Sequence, residues 1–128
     1  MKKIVVLLLL MVSTNVFAEW TVVGSASGKT VYADFGTIKR KGNKVKMWTL
    51  YDFNTVRQVE NSRYLSQMER DEYDCEEETS RLLDFLWYSG NMRQGEIVLS
   101  SKNIKNEEMS VTPGSIDEIL LKIACSKK

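Results

Sequence analysis

Two cysteines, Cys75 and Cys125, and a few acidic pairs are the side chains of this 128-residue chain that could carry chemistry. The cysteines could form a redox couple, half of a metal site or a disulfide. Asp71 with Glu72, and the run Glu76-Glu77-Glu78, could set two carboxyl groups across a cleft for glycoside hydrolysis, or gather oxygen ligands for calcium. Composition excludes much else. The chain has no histidine, so Ser-His and Cys-His nucleophile pairs cannot form. There is no CxxC for a thioredoxin-like couple, and two cysteines without histidine make a poor zinc site. The spacing of an EF-hand loop is absent. The acidic pairs read best as a solvated charged edge that discourages sheet-to-sheet association. No catalytic residue, metal ligand or cofactor is assigned.

What the cysteines do depends on the compartment, and the first eighteen residues bear on that. Lys2 and Lys3 form a short positive segment. Ile4 to Val12 is an unbroken apolar run, too short to span a bilayer. Val16-Phe17-Ala18 then sets small residues at −3 and −1 of a cleavage point, placed between Ala18 and Glu19. Residues 1–18 are therefore expected to be a signal peptide, and 19–128 a single domain. No cysteine follows the apolar run to take a lipid, and no later segment has the length of a transmembrane helix. In an oxidising compartment Cys75 and Cys125 are expected to form an intramolecular disulfide. Their separation of 50 residues makes the bond worth roughly 4 kcal/mol by the entropy of loop closure. The precursor carries 18 basic and 17 acidic side chains. Loss of Lys2 and Lys3 leaves a mature chain close to neutral, without a field to attract nucleic acid or anionic lipid.

The elements that must position these groups follow from patterning. Trp20 to Ala26 reads as a strand, Ser27-Gly28-Lys29 as a turn and Thr30 to Asp34 as the returning strand. Asp34-Phe35-Gly36-Thr37 breaks the pattern, and Arg40 to Lys44 is a tight polar turn. Val45 to Asn54 alternates with period 2, setting Val45, Met47, Thr49, Tyr51 and Phe53 on one face. Val56 to Arg63 is polar and reads as a loop. Tyr64 to Glu76 is charged and extended. Thr79 to Tyr88 fits helix and strand about equally. Glu96 to Ser101 is a strand, and Lys102 to Glu108 a polar loop.

The last element is the clearest. Ser115 is an N-cap, with Glu118 three residues on to complete a capping box. Ile116, Ile119, Leu120 and Ile123 define an apolar stripe. Cys125 falls away from that stripe, so the helix is expected to end just before it. Strands followed by a C-terminal helix make an α+β chain with an antiparallel sheet. The disulfide would then clamp the helix over the sheet, beside a strand edge that includes Tyr73-Asp74-Cys75.

Two surface features could contact partners. Lys39 to Lys44 is the one basic cluster. It reads as a hairpin turn kept soluble by lysine, or as a contact for a sulfated glycan, a phospholipid head group or an acidic protein. Trp20, Trp48 and Trp87 could form an interaction face with Tyr51 and Tyr88, or pack in the core.

A series of short motifs resembles the bacterial surface-adhesin protein E-like domain. They begin with Trp20, Val23-Gly24, Val31-Tyr32-Ala33-Asp34, Ile38, Trp48 and Tyr51-Asp52. They continue through Ser66, Tyr73-Asp74-Cys75, Arg81, Tyr88-Ser89 and Gly95. They close with Val111-Thr112-Pro113-Gly114-Ser115 and Cys125. The resemblance implies a small exported protein of Gram-negative bacteria, in the periplasm or at the cell surface. It implies a curved antiparallel sheet of about six strands, with the C-terminal helix on one face and tied there by the disulfide. It turns Thr79–Tyr88 into a strand. It further implies a non-enzymatic, adhesin-like binding protein whose partner is an unknown protein or glycan. The alternative is a soluble periplasmic module without an adhesive role. Met109 departs from the family, which often has a tryptophan near that position. No binding residue is assigned.

Overall fold

The computed structural model describes residues 19–126. The expected signal segment, Met1 to Ala18, lies outside them. Six strands follow one another as an antiparallel meander: β1 Trp20–Ala26, β2 Lys29–Lys41, β3 Lys44–Val59, β4 Ser62–Asp74, β5 Thr79–Tyr88 and β6 Ile97–Ser101. A two-residue strand, β7 Met109–Ser110, also pairs with β5. The one α-helix among the described residues, α1, spans Ile116–Ser126. Thr79–Tyr88 is a strand, as the resemblance implies.

Tight turns join the long hairpins. Ser27 and Gly28 both take positive φ (55° and 75°) between β1 and β2, the backbone hand that matches strand twist in a two-residue hairpin. The expected break at Asp34–Thr37 is a bulge inside a continuous β2. Asp34 pairs with Trp48 and Lys39 with Lys46, so three extra residues sit on β2. Thr37 holds the bulge: its hydroxyl donates to the Asp34 carbonyl at 2.7 Å and accepts from the Trp48 amide at 3.0 Å. A side chain thus stands in for a missing ladder partner, which sequence periodicity does not reveal. A second bulge lies on β3, where the register jumps from Asp52↔Ser66 to Arg57↔Tyr64. The expected loop at Val56–Arg63 is instead the tip of the β3–β4 hairpin. Its strands run to Val59 and from Ser62. Bulges of this kind bend and twist a sheet.

Alternation on β3 came out as expected. Val45, Met47, Thr49, Tyr51 and Phe53 are all buried on the helix-bearing face. Val31 and Ala33 of β2 and Tyr73 of β4 join them, covered by Leu120, Leu121 and Ala124. The helix stripe is rotated from the expected one: Ile119 is 43% exposed, while Leu121 and Ala124 are buried. That rotation brings in the cysteine. Four residues on from Leu121, Cys125 is only about 40° round the helix from it. The helix continues through Cys125 to Ser126 and does not end before the cysteine. At its start Ser115 Oγ accepts from the Glu118 amide at 3.3 Å. Glu118 does not complete the capping box; its carboxylate pairs with Lys122 at 3.4 Å.

The bond Cys75–Cys125 ties the last helical turn to the turn that follows β4. β4 lies inside the sheet, so Tyr73 and Asp74 are not on an edge strand. The β2–β3 hairpin closes round the same point. The Cys75 amide donates to the Asn43 carbonyl at 2.9 Å, and Arg40 Nη1 donates to the Cys125 carbonyl at 3.2 Å. A cation on a C-terminal carbonyl stabilises the helix end. Replacing both cysteines by serine is expected to lower unfolding free energy by about 2–5 kcal/mol. In hydrogen exchange, α1 should lose more protection than β3; unchanged protection of α1 would remove the tether from the account. Arg40→Ala should loosen only the last turn, by about 0.5–1 kcal/mol.

Candidate functional site

One helix does not cover the whole inner face, and the uncovered part is a cavity of about 730 Å³. Its floor is β4. Gln67, Glu69, Asp71 and Tyr73 alternate along that strand and all point to the helix side, because they pair with Tyr51, Thr49, Met47 and Val45. Lys29 and Tyr51 line one side, Asp117 of α1 another, and Asn106, Glu107 and Met109 a third.

That third wall comes from the segment after β6, which sequence reading left as a polar loop. It is pinned along the edge of β5. The Ile104 amide donates to the Leu83 carbonyl at 2.8 Å, and the Asn103 amide to Asp84 Oδ1 at 2.7 Å. Asn106 Nδ2 donates to the Leu82 carbonyl at 3.4 Å.

The central feature is a carboxyl pair two residues apart on one strand face. Glu69 and Asp71 stand side by side on that face and act on each other's ionisation. Burial holds Asp71 well above the usual carboxylate range, and the neighbouring Glu69 and Asp117 charges add to it. Burial also raises Glu69, while its contacts with Asp71 and Gln67 oppose that rise. Of the two, Asp71 is the one whose protonated form the surroundings favour more. Tyr51 and Tyr73 are likewise pushed up, chiefly by burial and then by these carboxylates.

The opposite face carries charges of a different kind. Across β3, β4 and β5 run two rows, Lys46–Glu72–Arg81 and Trp48–Arg70–Asp84. Arg81 binds Glu72 at 2.7 Å, and Arg70 binds the buried Asp84 at 2.5 Å. These are opposite-charge pairs of adjacent strands, which hold register.

The acids picked out in the sequence therefore divide. Asp71 and Glu72 are buried on opposite faces and are not a solvated edge. Glu76, Glu77 and Glu78 are exposed in the turn after β4. The basic cluster is partly engaged inside the protein. Arg40 holds the helix end, and Lys44 meets Glu108, Glu72 and Asp74. The aromatic residues do not form one face. Tyr51 and Trp87 lie on the helix side, where Trp87 stacks on Tyr64 at 4.1 Å. Trp20, Trp48 and Tyr88 lie on the other side. Glu69, Lys29 and Asp117 were missed. The period-2 set Gln67-Glu69-Asp71-Tyr73 was the available signal, but its polar members do not announce a buried face.

The carboxyl pair should leave a signature in stability. An acid whose pKa is raised by folding favours the folded state while protonated. That contribution is lost as pH rises from the unfolded value, about 4, through the folded one. Asp71→Asn keeps a donor toward Glu69 and removes the titration. It is expected to match the parent near pH 3 and to exceed it in denaturant unfolding at pH 8; equal stabilities at pH 8 would contradict the buried pair.

The architecture has known counterparts. Crystal form II of Haemophilus influenzae protein E aligns with a TM-score of 0.58 at 16% identity, covering 81% of this chain and 91% of that one. Protein E from non-typeable Haemophilus influenzae aligns with a TM-score of 0.59, also at 16% identity, covering 88% of this chain and 79% of that one. At that identity the likeness is one of fold. No curated protein matches the chain. The profile of the surface-adhesin protein E family matches residues 20–126, from the first residue of β1 to the last of α1. By that match, this chain belongs to the surface-adhesin protein E family.

Proposed function

We propose that this chain is exported, cleaved between Ala18 and Glu19, and acts as a non-enzymatic, adhesin-like protein that binds a protein or glycan through exposed loops and sheet surface. The observation that carries the reading is the family match over residues 20–126. Two surface features support it. Val56 and Val59 are 45% and 49% exposed on the protruding β3–β4 hairpin. Ile97 and Leu99 are 54% and 42% exposed on the edge strand β6. Apolar side chains gathered on projecting structure are what contact surfaces offer. No helix among the described residues is long and apolar enough to cross a membrane.

External protease added to intact host cells is expected to digest the protein. Recovery only in the periplasmic extract, fully protected, would overturn the adhesive reading and leave a periplasmic module. Val59→Asp with Leu99→Asp should preserve the fold and reduce capture of the partner in a pull-down. Undiminished capture would move the contact off these two elements.

A further inference from the structure

We propose that the cavity between α1 and the 106–109 segment binds an alkylammonium group, with Glu69 and Asp71 as its anionic floor and the rings of Tyr51 and Tyr73 as walls for the alkyl stem. The inference concerns the inner face and stands apart from the adhesive role, which was assigned to the outer loops and edges.

Charge is the first argument. Four carboxyl groups line the cavity: Glu69 and Asp71 from β4, Glu107 from the segment after β6, and Asp117 from α1. Two cations line it, Lys29 and Arg81. Arg81 is already held by Glu72, with bonds of 2.9 and 2.7 Å. The space is thus built with an excess of negative groups, and it repels anions.

Shape and lining supply the second argument. Buried Asp71 lies on the floor, and its neighbour on the same strand face is another acid, Glu69. The aromatic side chains Tyr51 and Tyr73 line the same cavity. A flexible alkyl chain ending in a point charge fits such a lining. Its stem can cover ring surface while its head reaches the carboxylates. A metal ion suits it less. Among the described residues no group of three or more Cys, Asp or Glu side chains is disposed to hold one.

The third argument is an ammonium already present. Lys29 Nζ lies over the Tyr51 ring, 5.0 Å from its centre, and its charge acts on Glu69. The protein therefore shows, within its own chain, the contact that a ligand would make more deeply. Lys29 reaches in from β2 at the side, and the rest of the cavity stays open.

Burial and the neighbouring acids favour the protonated form of Asp71, and an incoming ammonium favours the ionised form, so any proton that the pair holds leaves to solvent on binding.

The test is calorimetric titration, at pH 7, of the protein in the form its host produces. The probes are n-butylammonium, cadaverine and the peptide acetyl-Gly-Lys-Gly-amide, in two buffers of different ionisation enthalpy. Saturable binding is expected, with release of up to about one proton per site. Glu69→Gln/Asp71→Asn should weaken it roughly tenfold or more. Lys29→Met, which removes the resident competitor without touching the floor, should tighten it. The triple surface variant Glu76→Gln/Glu77→Gln/Glu78→Gln should leave it unchanged. Preference for cadaverine would identify a free diamine as the source of the group, and preference for the peptide a partner's lysine; both support the site. No saturation by roughly 10 mM, equal binding of n-butanol or of a neutral methyl glycoside, or equal loss in the surface triple variant would overturn it. So would Lys29→Met weakening the binding.

Discussion

One helix of eleven residues has to cover the inner face of a sheet six strands wide. At 1.5 Å per residue α1 is about 16 Å long. Six strands at their usual spacing reach about 24 Å from edge to edge. The helix packs across β1 to β4, and the face beyond it must be closed in some other way. Part is filled by aromatic rings: Phe53 meets Tyr64 edge-on at 5.6 Å, and Tyr64 stacks on Trp87. The rest is left as the cavity over Glu69 and Asp71. The site is thus a remainder of the packing problem, floored by residues that a larger helical layer would require to be apolar.

The same shortage explains how the helix is anchored. Leu120, Leu121 and Ala124 are its fully covered side chains, a modest apolar area for holding an element in place. A covalent bond at one end and a short cap at the other make up the difference. Arg40 and the Asn43 carbonyl bring the β2–β3 hairpin to the bonded end. Helix, hairpin and the turn after β4 therefore meet at one point. The wall formed by Asp117 stands at the other end of α1, and its position over the floor depends on that anchorage.

Much of this was legible in the residues, and the failures have physical causes. Period-2 alternation named the buried face of β3 because every inward position there is apolar or threonine. The same rule failed on β4, where Glu69 and Asp71 point inward. Asp34–Thr37 read as a break in pattern and Val56–Arg63 as a polar loop. The first is a place where three extra residues bulge out of a continuous strand; the second is the reversing tip of the β3–β4 hairpin, with a bulge of its own just before it, between Asp52 and Arg57. Only the partner strand's register, and the Thr37 hydroxyl in the first case, shows how pairing survives. The helix stripe was misplaced because Ile119 outranks Ala124 in hydrophobicity, whereas the close approach of sheet and helix favours the smaller side chain. The cysteine pair was readable from compartment and count. The cavity was not, since it depends on how little of the sheet α1 reaches.

The bond between Cys75 and Cys125 also sets an order of events. An exported chain emerges with its N-terminus first, so β1 to β4 and the first thiol are outside before the second arrives. Oxidation must wait for β5, β6 and the helix to follow. With only two cysteines in the chain, both in this bond, a single intramolecular pairing exists. Folding of one molecule then has no wrong bridge to undo, and it calls for an oxidant without an isomerase.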